Sequence, residues 1–174
     1  MSNVTEGQDP KCEHQLSPPQ PVQLADLVKL GASYYMLDPD SAEDQKKLED
    51  IKKERGFVYG DDITITKESL GDKYDATIKS FFTEHLHGAD EIRYIRDGSG
   101  YFDVRDRGDK WVRIHVTKGD LLILPAGLYH RFYLDSKEYI RASRFFINVP
   151  VWTPFNRPAE DHPSRVAYVN KMKC

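Results

Sequence analysis

The pattern of apolar and polar residues divides the chain near residue 84. Before that point, apolar residues recur at helical spacing in three stretches, which predict helices over 22–30, 42–55 and 72–83. Ser41 is placed to cap the second helix, and the few apolar residues that follow it indicate that most of this helix faces water. We therefore expect the three helices to cover a core that later residues form.

After residue 84 the chain consists of short runs of β-branched and aromatic residues, separated by Gly, Pro and Asp. This spacing predicts a compact all-β unit. A tight turn is expected at Asp97–Gly100, because the sequence Asp-Gly-Ser-Gly favours the backbone angles of a hairpin. The predicted strands are Glu91–Arg96, Gly100–Arg105, Trp111–Val116, Asp120–Leu124, Tyr129–Asp135 and Ile140–Val149.

The two ends of the chain differ from the rest in composition. Residues 1–21 are rich in Pro, Gln, Ser and charge, which predicts a disordered leader. Residues 150–174 contain several prolines and are expected to wrap over the surface. A length of 174 residues suits one domain, which we place at 22–174 with a barrel core at about 84–149.

Charge and hydropathy exclude some classes of protein. The 25 Lys+Arg and 28 Asp+Glu give a net charge of −3, which lacks the basic excess of nucleic-acid-binding proteins. The mean hydropathy is −0.64, and no run of about 18 apolar residues occurs, so no membrane span is expected. The N-terminal residues lack the apolar core of a secretion signal, which predicts a cytoplasmic protein. Nothing in the sequence demands more than a monomer.

The first of two segments with candidate chemistry reads His-x-His-x3-Glu, with His85, His87 and Glu91. Two histidines at this spacing on an extended strand point to the same side, because side chains alternate along a strand. Glu91 follows a bend of small residues and can reach the same point. Imidazole and carboxylate ligands together suit Fe, Ni, Mn, Zn or Cu.

The second segment runs from Gly119 to His130 and reads Gly-x5-Pro-x-Gly-x2-His. This spacing predicts a strand that turns and returns His130 to the interior. Either segment alone is more often an ordinary strand feature than a ligand group, but both in this order favour a metal site. Three histidines and one glutamate leave two positions open on an octahedral metal, which is typical of a catalytic site.

Together the two segments resemble the two motifs of the cupin superfamily, whose fold is a small double-stranded β-helix, or jelly-roll barrel. The resemblance implies a mainly β fold with a few N-terminal helices packed outside the barrel. Longer strings are similar to the acireductone dioxygenase family, namely His-Leu-His-x3-Glu-Ile-Arg-Tyr-Ile and residues 97–106, 124–132 and 150–158.

This resemblance implies a dioxygenase of methionine salvage that acts on a small-molecule substrate and O2. The family oxidises acireductone, 1,2-dihydroxy-3-keto-5-methylthiopentene. With Fe(II) the products are 4-methylthio-2-oxobutanoate and formate, and with Ni(II) they are 3-methylthiopropanoate, formate and CO. The family pattern assigns one ion per chain to His85, His87, Glu91 and His130. Relatives also have reported nuclear roles, to which nothing in this sequence points.

Strand alternation adds two residues to this site. If Glu91 meets the metal, Arg93 points into the same cavity, where a buried guanidinium is expected to face an anionic ligand. The alternative is a permanent ion pair of Arg93 with Asp90 or another inward acid. Phe132 shares a face with His130, which predicts a pocket wall.

Further site residues have less support from the pattern itself. We assign Asp90 to the substrate-binding or catalytic group, and the resemblance adds Arg144 to that group and Phe81 and Trp152 to the pocket wall. Ordinary packing is the alternative for the two aromatic residues, and a surface position is the alternative for Arg144.

Two other functions fit the same ligand set. Some cupins cleave diketones or flavonols or isomerise sugar phosphates, and substrate profiling separates these from the first hypothesis. A cupin can also be a non-enzymatic metal-binding module, which O2 uptake on addition of an enediol would exclude. The ligand set accepts both Fe(II) and Ni(II), so the sequence does not choose between them.

Overall fold

The computed structural model describes residues 1–3, 9–150 and 153–173. Its α-helices are α1 (Leu24–Lys29), α2 (Ala42–Arg55), α3 (Lys67–Leu70), α4 (Tyr74–Phe82) and α5 (Pro163–Met172), with a short 3₁₀ turn at Gly71–Lys73. Its strands are β1 (Ser2–Asn3), β2 (Ser33–Met36), β3 (Tyr59–Ile65), β4 (His85–Leu86), β5 (Glu91–Arg105), β6 (Trp111–Thr117), β7 (Asp120–Leu124), β8 (His130–Leu134), β9 (Ile140–Phe146) and β10 (Phe155–Asn156).

The three predicted helices are present, as α1, α2 and α4. α2 has the expected bounds, and the Ser41 side chain caps it by accepting a hydrogen bond from the backbone N–H of Asp44. Gly56 ends it with a φ of 70°, a left-handed conformation that glycine adopts without strain. Within the described ranges, no helix has both the length and the apolar character that crossing a bilayer requires.

The tight turn predicted at Asp97–Gly100 is wrong. Instead, β5 is one strand of 15 residues with an irregularity between Ile95 and Asp97. Its first part pairs with β7 and β9, and its second part pairs with β6 and β8. Gly98 has a φ of 74°, and a Cβ there would collide with the carbonyl oxygen of Tyr139. Gly98 therefore allows β5 to bend and a neighbouring strand to approach closely, and it does not form a hairpin turn.

Two strands outside the predicted set extend the barrel towards the N-terminus. β2 pairs with β7, and β3 pairs with β9 along its full length, both antiparallel. The sheet therefore includes residues well before 84. The mainly β architecture with helices outside is the fold class that the sequence predicts.

The core consists of two clusters of buried side chains. The larger one fills the barrel interior and includes Ile95, Phe102 and Leu122. The smaller one lies between α2 and the outer face of the sheet, where Leu48 packs near Tyr94. α2 thus covers the barrel with a single buried residue of its own, as its polar composition predicts.

Both ends of the chain contact the barrel. β1 pairs with β6, and Arg113 of β6 donates hydrogen bonds to the carbonyl oxygens of Pro10 and Cys12. At the other end, β10 pairs with β4, and Tyr168 of α5 is buried in the larger cluster. The composition of residues 1–21 predicts a disordered leader, whereas these described parts of it lie against β6.

Candidate metal centre

Four side chains converge at one end of the barrel interior: His85, His87, Glu91 and His130. One ligand atom from each lies within 4.8 Å of the others. β4 and β8 place His85 directly opposite His130, and Glu91 is the first residue of β5. The structure thus brings together the full ligand set expected from the sequence.

A backbone carbonyl fixes the orientation of each histidine ring. Each Nδ1–H donates to one carbonyl oxygen: His85 to Thr83 at 2.6 Å, His87 to Thr153 at 3.3 Å and His130 to Leu128 at 2.9 Å. A carbonyl oxygen only accepts, so Nδ1 carries the proton and Nε2 keeps a lone pair. Histidines that bind metal through Nε2 are held in this way.

Two buried atoms in this cluster lack a hydrogen-bond partner within the described residues, namely Glu91 Oε2 and His130 Nε2. They lie 2.5 Å apart, but their geometry is not that of a hydrogen bond. A buried carboxylate oxygen and a nitrogen lone pair that face one another are costly unless a cation lies between them. The residues present therefore fit a divalent metal ion.

The surroundings keep the ligands in the forms that bind metal. Burial, together with the nearby His130, lowers the pKa of His85 to about 4, and burial also lowers the pKa of His87. Burial alone would raise the pKa of Glu91, but the charge of Arg93 and the close approach of His130 outweigh it and hold that pKa well below its usual value. Neutral imidazoles and an ionised carboxylate are the protonation states that ligation needs.

The four ligands line one end of a cavity of about 170 Å³. One wall is aromatic: Phe102 and Phe132 lie directly opposite one another on β5 and β8, and the Phe81 ring meets the Phe132 ring edge-on at 6.3 Å. A Cβ at Gly100 would lie only 2.8 Å from the Phe132 ring, so that ring occupies space that glycine leaves open.

The opposite wall changes from charged to apolar along three neighbouring strands, β3, β9 and β5. Nearest the metal ligands, Asp61, Arg144 and Arg93 stand opposite one another, and we call them the charged row. The residues that follow along the same wall are apolar, namely Ile63, Ala142 and Ile95, then Ile65 and Ile140. The cavity therefore suits a ligand with an anionic head that chelates metal and an apolar tail.

Comparison with known proteins identifies the family. The family model described as "ARD/ARD' family" matches residues 1–154. The chain belongs to this family. The acireductone dioxygenase of Ixodes scapularis is 52% identical over 166 residues, which cover 95% of this chain and 90% of the relative. That of Rattus norvegicus is 53% identical over 165 residues, which cover 95% and 92%. The chain is accordingly an oxidoreductase, a dioxygenase of the ARD/ARD' family.

A solved structure agrees on the fold. The acireductone dioxygenase from Bacillus anthracis, with a cadmium ion in its active centre, matches the chain with a TM-score of 0.65 and 23% sequence identity. The match covers 74% of this chain and 85% of that chain. At this identity the likeness concerns the fold, which is the cupin barrel that the two sequence motifs predict.

Arg93 lies in the cavity of this ARD-family chain and pairs with an inward acid. Its Nη2 lies 2.8 Å from Glu91 Oε1, and its Nη1 donates to the carbonyl oxygen of Ile92 at 3.0 Å. The acid is thus the metal ligand Glu91 and not Asp90. Because Arg93 holds Oε1, the other oxygen of Glu91 faces the histidines.

Asp90 does not line the cavity. Its carboxylate accepts a hydrogen bond from the backbone N–H of Ala126 at 2.9 Å, which ties it to the turn that precedes His130. The physical reason is alternation, since Asp90 precedes the inward-facing Glu91 and therefore points to the other side. In the structure Asp90 thus contacts this turn, and its assignment to substrate stays a prediction.

The remaining predicted residues divide into two groups. Arg144, Phe81 and Phe132 line the cavity, and Arg144 is held by Asp61 through two hydrogen bonds. Trp152 lies outside the described residues. The neighbouring Pro154 does line the cavity.

The strand β3 lies outside the strands that the sequence predicts, and it adds Ile63 and Ile65 to the cavity of the ARD-family site and Asp61 as the partner of Arg144. The alternation Asp62-Ile63-Thr64-Ile65 is a period-two signal that could have predicted this strand. The carbonyl groups that orient the histidines carry no such signal, because a backbone contact does not depend on the type of side chain.

Proposed function

We propose that the chain oxidises acireductone with O2 and acts in methionine salvage. The observation that carries this proposal is the cavity, in which a four-residue metal site is followed by a charged row and then by apolar side chains. A chelating enediolate head suits the charged end, and a methylthioalkyl tail suits the apolar end. The names of the relatives at 52% and 53% identity support the same substrate.

The resident ion in this proposal is one Fe(II) or Ni(II) per chain, held by His85, His87, Glu91 and His130. When bound, it supplies a Lewis-acid centre that favours the deprotonated form of the enediol, which is the form that reacts with O2. With Fe(II) we expect 4-methylthio-2-oxobutanoate and formate, and with Ni(II) we expect 3-methylthiopropanoate, formate and CO.

The protein groups act on the substrate by position and charge. Arg93 orients Glu91 and presents a guanidinium to the anionic head, a geometry that suits carboxylate and enolate oxygens. Phe81 and Phe132 keep water from the reacting carbons on the opposite wall. The apolar side chains at the far end hold the tail and so fix the direction in which the substrate lies. We propose that the enzyme acts as a monomer in the cytoplasm.

Elemental analysis of the purified protein, combined with product identification, tests the proposal. The metal-free protein is loaded separately with Fe(II) and Ni(II) and supplied with acireductone and O2. We expect the 2-keto acid and formate from the first sample and CO from the second. Absence of O2 uptake in both loaded samples would overturn the proposed substrate, while O2 uptake with diketones instead would favour another cupin dioxygenase.

A further inference from the structure

We infer that Asp61 is a positioning residue, which holds Arg144 beside Arg93 so that two guanidinium groups together face the anionic head of the substrate. The inference rests on the proposed function, since it names the part of that site that recognises charge. Asp61 lies on β3, a strand that contributes none of the four metal ligands.

The register of three strands places these residues side by side. Asp61 of β3 is directly opposite Arg144 of β9, and Arg144 is directly opposite Arg93 of β5. Residues opposite one another on antiparallel strands share a face, with Cβ atoms about 4.5–5.5 Å apart. The two arginines are therefore close neighbours on the wall beside the metal ligand Glu91.

Two cations in this arrangement need a partner to stay together, because like charges directly opposite one another repel. Glu91 pairs with Arg93 at 2.8 Å, but its second oxygen belongs to the metal site. Asp61 binds Arg144 at two points, Oδ1 to Nε at 2.8 Å and Oδ2 to Nη2 at 2.6 Å. Such a two-point pair fixes the plane of the guanidinium, so it keeps Arg144 on the wall although Arg93 repels it.

The charges of this wall agree with a recognition role. Among the described charges of this wall, Arg93 and Arg144 are balanced by Glu91 and Asp61, so a divalent ion leaves two positive charges in excess. A dianionic head would cancel this excess. Asp61 is 46% exposed and Arg144 is 19% exposed, so the pair is partly open to solvent, where an ion pair contributes only modestly to stability.

The test compares Asp61→Asn with the wild type, both loaded with metal. If Asp61 positions Arg144, the KM for acireductone rises about tenfold while kcat changes less, because anion binding is lost. If Asp61 only neutralised charge, its removal would make the site more positive and KM would fall. A lower or unchanged KM therefore overturns the inference.

A double-mutant comparison identifies Arg144 as the residue through which Asp61 acts. Asp61→Asn is expected to add no further change, within about twofold, in the Arg144→Ala background, because coupled residues are not additive. A full additional tenfold effect in that background would overturn the inference. Asp61→Glu retains the carboxylate and is expected to restore most of the affinity, and a KM equal to that of Asp61→Asn would count against positioning.

Asp62→Asn is the matched control. Asp62 is the next residue on β3 and pairs with Arg141 at 3.4 Å, with both side chains about half exposed. It is directly opposite Ser143, from which it accepts a hydrogen bond, whereas Asp61 is directly opposite Arg144. We expect the KM of Asp62→Asn for acireductone to stay within twofold of the wild-type value. A rise equal to that of Asp61→Asn would show a general effect of strand charge and would overturn the assignment.

Binding of oxalate separates failure of this inference from failure of the proposed function. Oxalate is a small dianion that chelates metal, and its affinity for the Ni(II)-loaded protein can be measured by calorimetry without turnover. We expect about tenfold weaker binding for Asp61→Asn than for Asp62→Asn, whatever the true substrate is. Equal binding by the two variants would overturn the role of Asp61, even if acireductone is turned over.

Discussion

Glu91 and Asp103 are two buried acids on the same strand, β5, with exposures of 9% and 1%. Asp103 lies on the outer side of the barrel, and both of its oxygens accept hydrogen bonds from Arg113, with a further one from Arg131. Glu91 lies on the inner side and has one oxygen held by Arg93 and one without a hydrogen-bond partner among the described residues. Asp103, whose oxygens are both paired, stabilises the fold, whereas Glu91, which has one oxygen unpaired among the described residues, is available to bind a ligand.

The comparison predicts that Asp103→Asn has the largest effect on stability. It leaves the buried guanidinium group of Arg113 and the partly buried one of Arg131 facing a neutral amide, which should lower the free energy of unfolding by about 3–5 kcal/mol. Urea denaturation of the metal-free protein measures this. Glu138→Gln is the control, because Glu138 forms an exposed pair with Lys11 and its substitution should change the free energy of unfolding far less. Equal losses in the two variants would refute the structural role of Asp103.

His87→Ala tests the expectation that residues on the inner side of the barrel bind the metal and contribute little to stability. Removal of one ligand should weaken Ni(II) binding by at least about 100-fold. The free energy of unfolding of the metal-free protein should change by only about 1 kcal/mol, because the His87 side chain is 18% exposed and makes one long hydrogen bond. Metal titration and urea denaturation give the two values. Unchanged metal affinity would remove His87 from the ligand set.

Arg93→Lys tests whether the site needs the planar guanidinium of Arg93 or only its positive charge. The change keeps a positive charge near Glu91 but removes the planar group that can hold the carboxylate and an anionic head together. We expect about a tenfold rise in KM for acireductone with the metal content of the wild type. A KM equal to that of the wild type would mean that Arg93 acts only as a counter-charge.

The smallest expected effect on stability concerns a third acid, Asp120. Its hydrogen bond with Tyr34 should contribute to the free energy of unfolding in a pH-dependent way. Tyr34 donates to Oδ1 of Asp120 at 2.8 Å, and burial together with this bond raises the pKa of Tyr34 to about 12. Because this pKa is raised above the unfolded value near 10, the pair stabilises the fold fully below pH 10. The contribution, about 1 kcal/mol, should disappear as the pH approaches 12.

Denaturation of the wild type and of Tyr34→Phe at several pH values measures this contribution. The difference in the free energy of unfolding should stay constant from pH 7 to about 10 and then decline. A constant difference up to pH 12 would contradict the assignment of the raised pKa to the Tyr34–Asp120 bond.

Local spacing explains what the sequence could predict. His85, His87 and Glu91 lie within one short segment, so alternation alone places them together. The cap at Ser41 is local too, and it correctly predicts the start of α2. The distant ligand His130 is brought to the site by a Pro-x-Gly turn whose residues are also visible in the sequence.

Contacts between distant strands explain what the sequence could not predict. Asp97–Gly100 has the composition of a hairpin turn, but pairing with two sheets extends β5 through it. The partnership of Asp61 with Arg144 depends on the register of β3 against β9, which no local pattern contains. The direction of Asp90 was missed for a simpler reason, since alternation from Glu91 already turns it away from the cavity.

The irregularity between Ile95 and Asp97 also fixes the length of β5. Before it, the odd-numbered residues Glu91 and Ile95 line the cavity, and after it the even-numbered Phe102 does. Deletion of the extra residue would leave a regular strand on which Phe102 still faces the cavity, whereas insertion of one more residue would turn Phe102 outward and drive Asp103 with its charge into the apolar interior. The strand should therefore tolerate the loss of one residue at this point better than the gain of one.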